Sequence, residues 1–257
     1  MLKSLDLTGR VAVVIGGTSG IGRTLSLGLA EAGADVVATG RREKLVKVVS
    51  AEIEAAGRKS LSVAVDVLHR ASVDQLSDAV VKHFGHVDIL VNAAGKIDRR
   101  PTATFPEPEW EETFNVNVTG ALRACQAFYE PLKASGRGRI INIVSLNSYV
   151  SLREVAAYAA SKSALLALTR SLAVEWSAEG INVNAIAPGV FRTDLNKDLL
   201  DSTDRGKELL MRTPMKRFGQ TGELNGAAVL LASDAASFIT GQCIVVDGGF
   251  LASGVNS

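Results

Sequence analysis

A chain of 257 residues that is 47% hydrophobic and 21% charged can bury a sizeable core, which excludes a disordered chain. A net charge of +1 and a pI near 7.8 give no electrostatic case for nucleic acid or an anionic membrane as partner. The two cysteines, Cys125 and Cys243, form no C-x-x-C and suit a reducing compartment and buried apolar roles rather than a disulfide framework.

The N-terminal stretch MLKSLDLTGRVAVVIGG is interrupted by Asp6 and Arg10, and its apolar run VAVVI is short, so it reads as a strand and not as a secretory leader. The run ALLAL at 164–168 is bounded by Lys162 and Arg170, so no membrane span is expected and a cytoplasmic protein is. Residues 11–15 are a continuous β-branched run, as in a strand covered on both faces. The loop Gly16-Gly17-Thr18-Ser19-Gly20-Ile21-Gly22 follows, then a helix carrying Leu25, Leu27, Leu29 and Ala30 and ending at Gly33, then a strand at 35–39. Glycines between a strand and a helix let backbone N–H groups approach a phosphate, and the helix N-terminus adds its positive dipole end. The spacing is G-x-x-x-G-x-G.

Further along, residues 42–56 read as a helix, 61–65 as a third strand ending at Asp66, and 71–84 as a helix. A strand at 88–91 opens into Asn92-Ala93-Ala94-Gly95, and 106–133, with Trp110, Phe114, Asn117, Leu122 and Phe128, is helical in its bulk. Strands follow at 139–144 and 181–186, the latter ending in Pro188-Gly189, with a helix at 153–178 between them. Residues 190–220 read as polar and irregular, with one apolar patch of Leu199, Leu200, Leu209, Leu210 and Met211, and are expected to form a substrate lid. A helix at 222–232 and a strand at 243–246 close the chain. This alternation predicts one α/β domain over 1–257, a doubly wound parallel sheet with right-handed crossovers. Ligands of such sheets bind beyond the carboxyl ends of the strands. Those ends carry the glycine loop, Gly40-Arg41, Asp66, Asn92 to Gly95, Ser145 and Pro188-Gly189.

Three reactive side chains fall on that edge: Ser145, Tyr158 and Lys162. Tyr158 and Lys162 are four residues apart and share a helix face. A phenol, with an ordinary pKa of about 10, is a poor base at neutral pH, and an adjacent ammonium is expected to lower it. A hydroxyl facing the pair would hydrogen-bond a substrate oxygen. At the end of the second strand, where an acid would accept the ribose hydroxyls of NAD, stand Gly40, Arg41 and Arg42. Arginines at a helix start oppose its dipole, and a 2′-phosphate would offset them, so NADP is favoured over NAD. His69, His83 and His86 suit capping or surface roles, and no metal is expected. Arg99 and Arg100, with Arg153 and the neighbouring Asn147, could bind a hydroxylated or anionic substrate. The Ala-rich helix is apolar on more than one face, one for the sheet and one for a second subunit.

Taken together, Gly16, Gly20 and Gly22, the stretch Asn92, Ala94 and Gly95, the set Asn117, Ser145, Tyr158 and Lys162, and Pro188, Gly189 and Thr193 resemble the short-chain dehydrogenase/reductase family over nearly the whole chain. The chain departs from the family pattern at Ile15, Ala93 and Val144, where Thr, Asn and Ser are usual. The resemblance implies a Rossmann fold, a homotetramer and a small-molecule alcohol or ketone substrate. It implies that Tyr158 exchanges a proton with the substrate oxygen, that Ser145 orients it, that Lys162 holds the nicotinamide ribose and lowers the Tyr158 pKa, and that Asn117 positions a relay water. The cofactor set it implies adds Thr18, Ser19, Ile21, Asp66 and Val67 at the adenine, Asn92, Ala93, Gly95 and Phe191. The stretches GKIDRRPTATF and DGGFLASGVNS are similar to family members acting on sugar acids, gluconate 5-dehydrogenase and deoxygluconate dehydrogenase. A 3-oxoacyl-carrier-protein reductase and a non-catalytic dinucleotide sensor are the alternatives.

Overall fold

The computed structural model describes residues 2–193 and 196–254, without the side chain of Leu199. Leu199 of the expected apolar patch and the last three residues of DGGFLASGVNS therefore lie outside the described residues.

Alternation along β1 (Val11–Ile15) sets the layers. Ala12 and Val14 join one apolar layer, while Val11, Val13 and Ile15 join the other, so both faces of the strand are covered. The remaining strands are β2 (Asp35–Thr39), β3 (Ile89–Asn92), β4 (Gly138–Ile143), β5 (Ile181–Pro188) and β6 (Cys243–Val246). They form one parallel sheet in the order β2-β1-β3-β4-β5-β6. The first layer holds residues of α1 (Gly20–Glu31), α2 (Glu43–Ala55) and α10 (Asn225–Ala232). The second holds residues of α3 (Arg70–Phe84), α5 (Gly120–Ala127) and α7 (Ala156–Trp176). The sequence reading of a doubly wound sheet is correct.

Several boundaries differ. Residues 61–65 do not form a strand. They run extended beside β2, joined through Val36 N–H to Lys59 O at 3.0 Å and Val65 N–H to Gly40 O at 3.1 Å. Between those points side-chain hydroxyls replace ladder bonds: Ser60 Oγ donates to Val36 O and Thr39 Oγ1 to Val63 O. The segment expected as one helix over 106–133 is α4 (Glu107–Phe114), a π-turn at Asn115–Thr119, α5, and α6 (Tyr129–Ala134). Residues 190–220, expected to be irregular, contain α8 (Lys197–Ser202) and α9 (Asp204–Arg212). Thr203 caps α9, its Oγ1 accepting from Gly206 N–H at 3.2 Å. Cys125 is buried, and burial pushes its thiol up to about 12, whereas Cys243 is only half-buried. Among the described residues no helix is long and apolar enough to cross a membrane.

Candidate active site

The site rests on a buried relay of amides. Asn92 Nδ2 at the end of β3 donates to Asn142 Oδ1 on β4 at 2.9 Å, and Asn142 Nδ2 donates to Thr169 Oγ1 on α7 at 2.9 Å. Buried hydrogen bonds of this kind hold the elements that bear them in one arrangement, while Asn92 Oδ1 stays buried without a partner. Here they lock α7 against the ends of β3 and β4. The Asn92 side chain therefore serves the scaffold.

On that base, Ser145 leaves β4 two residues past its end and caps a short turn, its Oγ accepting from Asn147 N–H at 3.1 Å. The Ser145 hydroxyl lies close enough to the Tyr158 phenol to favour its charged form. Lys162, one turn further along α7, is 3% exposed and donates through Nζ to Ile143 O at 2.7 Å. Its ammonium lies 5.7 Å from the Tyr158 ring centre. Burial brings the Lys162 pKa down to about 8. Burial also raises the Tyr158 pKa, opposed only by the Ser145 hydroxyl. That corrects the expectation of a phenol lowered by Lys162. The ammonium donates to a backbone carbonyl and burial raises the phenol, so the phenol is protonated at neutral pH.

Asn117 sits in the π-turn and is 1% exposed. Its Oδ1 accepts from Lys96 N–H at 2.7 Å, and its Nδ2 donates to Lys96 O and Ser161 Oγ, each at 2.9 Å. Its side chain is thus spent on the loop after Gly95 and on α7. Lys96 and Ser161, which sequence reasoning missed, complete this clamp. Ser161 could be suspected only from its place directly before Lys162.

The glycine loop forms the second half of the site. Gly16 has a φ of +83°, and a Cβ there would lie 2.5 Å from Ala94 N. A Cβ on Gly22 would stand 2.1 Å from Gly16 O. A side chain at either position would push the loop away from Ala94 or from the start of α1, so glycine keeps the loop close around the N-terminus of α1, where backbone N–H groups can meet a phosphate. Ser19 precedes α1, and its Oγ accepts from Arg42 Nη2 at 3.0 Å, which brings an exposed guanidinium to the loop. Arg41 beside it is also exposed. A Cβ on Gly40 would meet Thr18 Oγ1 at 3.0 Å, so Thr18 crowds the place an acidic side chain would need. Asp66 keeps one oxygen on Leu68 N–H at 3.0 Å, and Val67 O accepts from Arg123 at 2.9 Å, which leaves Val67 N–H for a ligand. Ile21 packs against the first apolar layer, and Ala93 N–H is tied to Ile15 O at 2.9 Å. These groups fit an NADP molecule laid along the strand ends. On the far side, Gly189 N–H is held by Val246 O at 2.8 Å and Thr193 N–H by Asn196 Oδ1 at 2.8 Å. The Phe191 ring is not brought to the groove: it is 5% exposed and buried in the core against Gly219.

The substrate candidates separate. Asn147 is 8% exposed, and its Nδ2 is a buried donor without a partner, beside Ser145. Arg100 is paired with Glu109 at 3.0 Å and so is not free for an anion. Arg153 contributes its carbonyl, which accepts from Arg205 Nη2 at 2.8 Å. Arg99 is exposed. A cleft of about 390 Å³ lined by Val190, Met215, Arg217 and Asp247 lies apart from Ser145, Tyr158 and Lys162, and its arginine is paired with Glu223. His86 contacts buried Asp88 at 3.3 Å, and among the described residues no three His, Cys, Asp or Glu side chains gather as a metal site would need.

Comparison with known proteins agrees with this geometry. The family described as "Enoyl-(Acyl carrier protein) reductase" matches residues 15–251. The chain is 40% identical to 2-dehydro-3-deoxy-D-gluconate 5-dehydrogenase of Escherichia coli (strain K12), over 98% of this chain and 99% of that protein. It is 37% identical to gluconate 5-dehydrogenase of Gluconobacter oxydans (strain 621H), over 96% of this chain and 97% of that one. Its fold superposes on the crystal structure of a gluconate 5-dehydrogenase from Burkholderia cenocepacia J2315 in complex with NADP and tartrate. The TM-score is 0.95 at 38% identity, covering 98% of this chain and 99% of that one. With its strand-end glycine loop and its Ser145, Tyr158 and Lys162 on one edge, the chain belongs to the short-chain dehydrogenase/reductase family and is an NAD(P)-dependent oxidoreductase of alcohol and ketone groups.

Proposed function

We propose that this enzyme interconverts a keto sugar acid of the gluconate type and its secondary alcohol, with NADP as the preferred cofactor. The observation that carries the substrate reading is the polar wall beside the reacting group. The Asn147 Nδ2 is a buried donor with no partner, and leaving it so costs about 1–3 kcal/mol unless a ligand oxygen meets it. A polyhydroxylated carbon chain offers that oxygen; an alkyl ketone does not. Exposed Arg99 suits the carboxylate. The sugar-acid names of the relatives support the same substrate class, and the NADP named in the Burkholderia complex supports the cofactor.

Ser145 Oγ and the Tyr158 phenol would hydrogen-bond the substrate oxygen, and the protonated phenol would donate its proton there as the ketone is reduced. Bound NADP(H) supplies or accepts the hydride. Lys162, mostly protonated at neutral pH, would hold the ribose and offset the phenolate left on Tyr158. Asn117 would hold the Gly95-Lys96 loop beside the Lys162 ammonium. Arg41 and Arg42 would take the 2′-phosphate, Asp66 and Val67 the adenine edge, and Pro188, Gly189 and Thr193 the nicotinamide side. Residues 190–220 would close over the substrate. The enzyme would act in the cytoplasm as a homotetramer, the outer face of α7 meeting a second subunit: Val174 on that face is 81% exposed.

A panel of NADPH-dependent reductions tests the substrate reading. The kcat/KM for 5-keto-D-gluconate should exceed that for acetoacetyl thioesters by at least about a hundredfold. A thioester preference would make the chain an acyl reductase, the reading that the description of the matched family favours.

A further inference from the structure

Three segments that are far apart in sequence meet at Glu154, four residues before Tyr158. Arg100 N–H, from the loop after β3, donates to Glu154 O at 2.9 Å. Arg205, from α9 of the lid, donates through Nη2 to Arg153 O at 2.8 Å and sets Nη1 3.6 Å from Glu154 Oε2. Glu154 itself has a φ of +66°, a left-handed conformation that a non-glycine residue keeps only where its surroundings hold it there.

The charges at this junction do not balance. Arg99 and Arg205 share the single carboxylate of Glu154, and the contact from Arg205 to that carboxylate is too long for a hydrogen bond. The Arg205 guanidinium has five N–H donors and gives one of them to a carbonyl, so most of its fork is available. Arg99 feels the excess: burial first, and then the charge of Arg205, disfavour its protonated form, with Glu154 opposing. An anion entering between the lid and the loop after β3 would offset two guanidiniums at once.

Resting on the sugar-acid reading above, we propose that Arg205 is a specificity-determining residue that binds the substrate carboxylate together with Arg99, and that the carboxylate thereby draws the lid helix α9 onto the loop before Tyr158. Glu154 stands 3.6 Å from the Arg205 fork without bonding it, and the substrate carboxylate takes the closer place.

The test is calorimetric binding of tartrate, an aliphatic hydroxy-dicarboxylate, to the NADP-loaded full chain, together with the ratio of kcat/KM for 5-keto-D-gluconate to that for L-sorbose, which has a hydroxymethyl in place of the carboxylate. Arg205→Gln should weaken tartrate by about tenfold or more and lower the ratio by a similar factor. Arg205→Lys, which keeps the charge without the fork, should fall between. Glu154→Gln should bind tartrate at least as tightly as the wild type. The proposal is overturned if Arg205→Gln binds tartrate like the wild type, if the two substrates decline in parallel, or if Glu154→Gln weakens tartrate as much as Arg205→Gln, which would make Arg205 a structural latch. Failure of the sugar-acid reading would show separately, as wild-type preference for a thioester.

Discussion

Burial moves Tyr158 and Lys162 in opposite directions, the phenol up and the ammonium down to about 8, and each shift disfavours the charged form. The consequence for pH follows from the signs. A raised phenol pKa keeps Tyr158 protonated at neutral pH, which is the state that donates to a ketone. Ketone reduction should therefore hold steady through neutral pH and decline above about pH 8, as Lys162 loses the proton that offsets the forming phenolate. Alcohol oxidation needs the phenolate and should rise over the same range. Initial rates in both directions between pH 6 and 10 check this; a reduction rate that rises through pH 8 would contradict it. At this scale the sequence made the pairing of Tyr158 and Lys162 legible, because their spacing along one helix places them together without reference to anything distant. It could not carry their protonation, which depends on desolvation and on Ile143 O lying 2.7 Å from Lys162 Nζ.

Elements explain where the reading of the chain stopped. The extended segment at 61–65 has the β-branched alternation of a strand, but Thr39 and Ser60 meet the carbonyls between its end points with hydroxyls, and hydropathy is blind to that exchange. The π-turn at Asn115–Thr119 is equally silent in sequence, yet it sets Asn117 in its clamp. That clamp is measurable. Asn117→Ala removes two bonds to the half-buried Lys96 backbone and one to buried Ser161. It should lower stability by about 2–4 kcal/mol in denaturant titration and slow turnover as well. A change under about 0.5 kcal/mol would show that the clamp is dispensable. Helices α8 and α9 were hidden by their polar composition, and Arg205 by its separation of 52 residues from Arg153.

For the whole molecule, the doubly wound sheet was legible because buried parallel strands alternate with amphipathic helices along the entire chain. Assembly depends on surfaces, and the outer face of α7 with exposed Val174 is the one this account commits to. Light scattering should give about four times the chain mass of 27.0 kDa, and Val174→Arg should reduce it; a wild-type monomer would remove the proposed interface. The cofactor groove, Tyr158 and Asn147 serve one reaction, and isotope transfer reads it directly. Incubation with 5-keto-D-gluconate and NADPH deuterated at the nicotinamide C4 should place deuterium on C5 of the product, seen by NMR, and Tyr158→Phe should slow its appearance by about a thousandfold or more. No label in the sugar acid, or label appearing at an undiminished rate with Tyr158→Phe, would contradict the account.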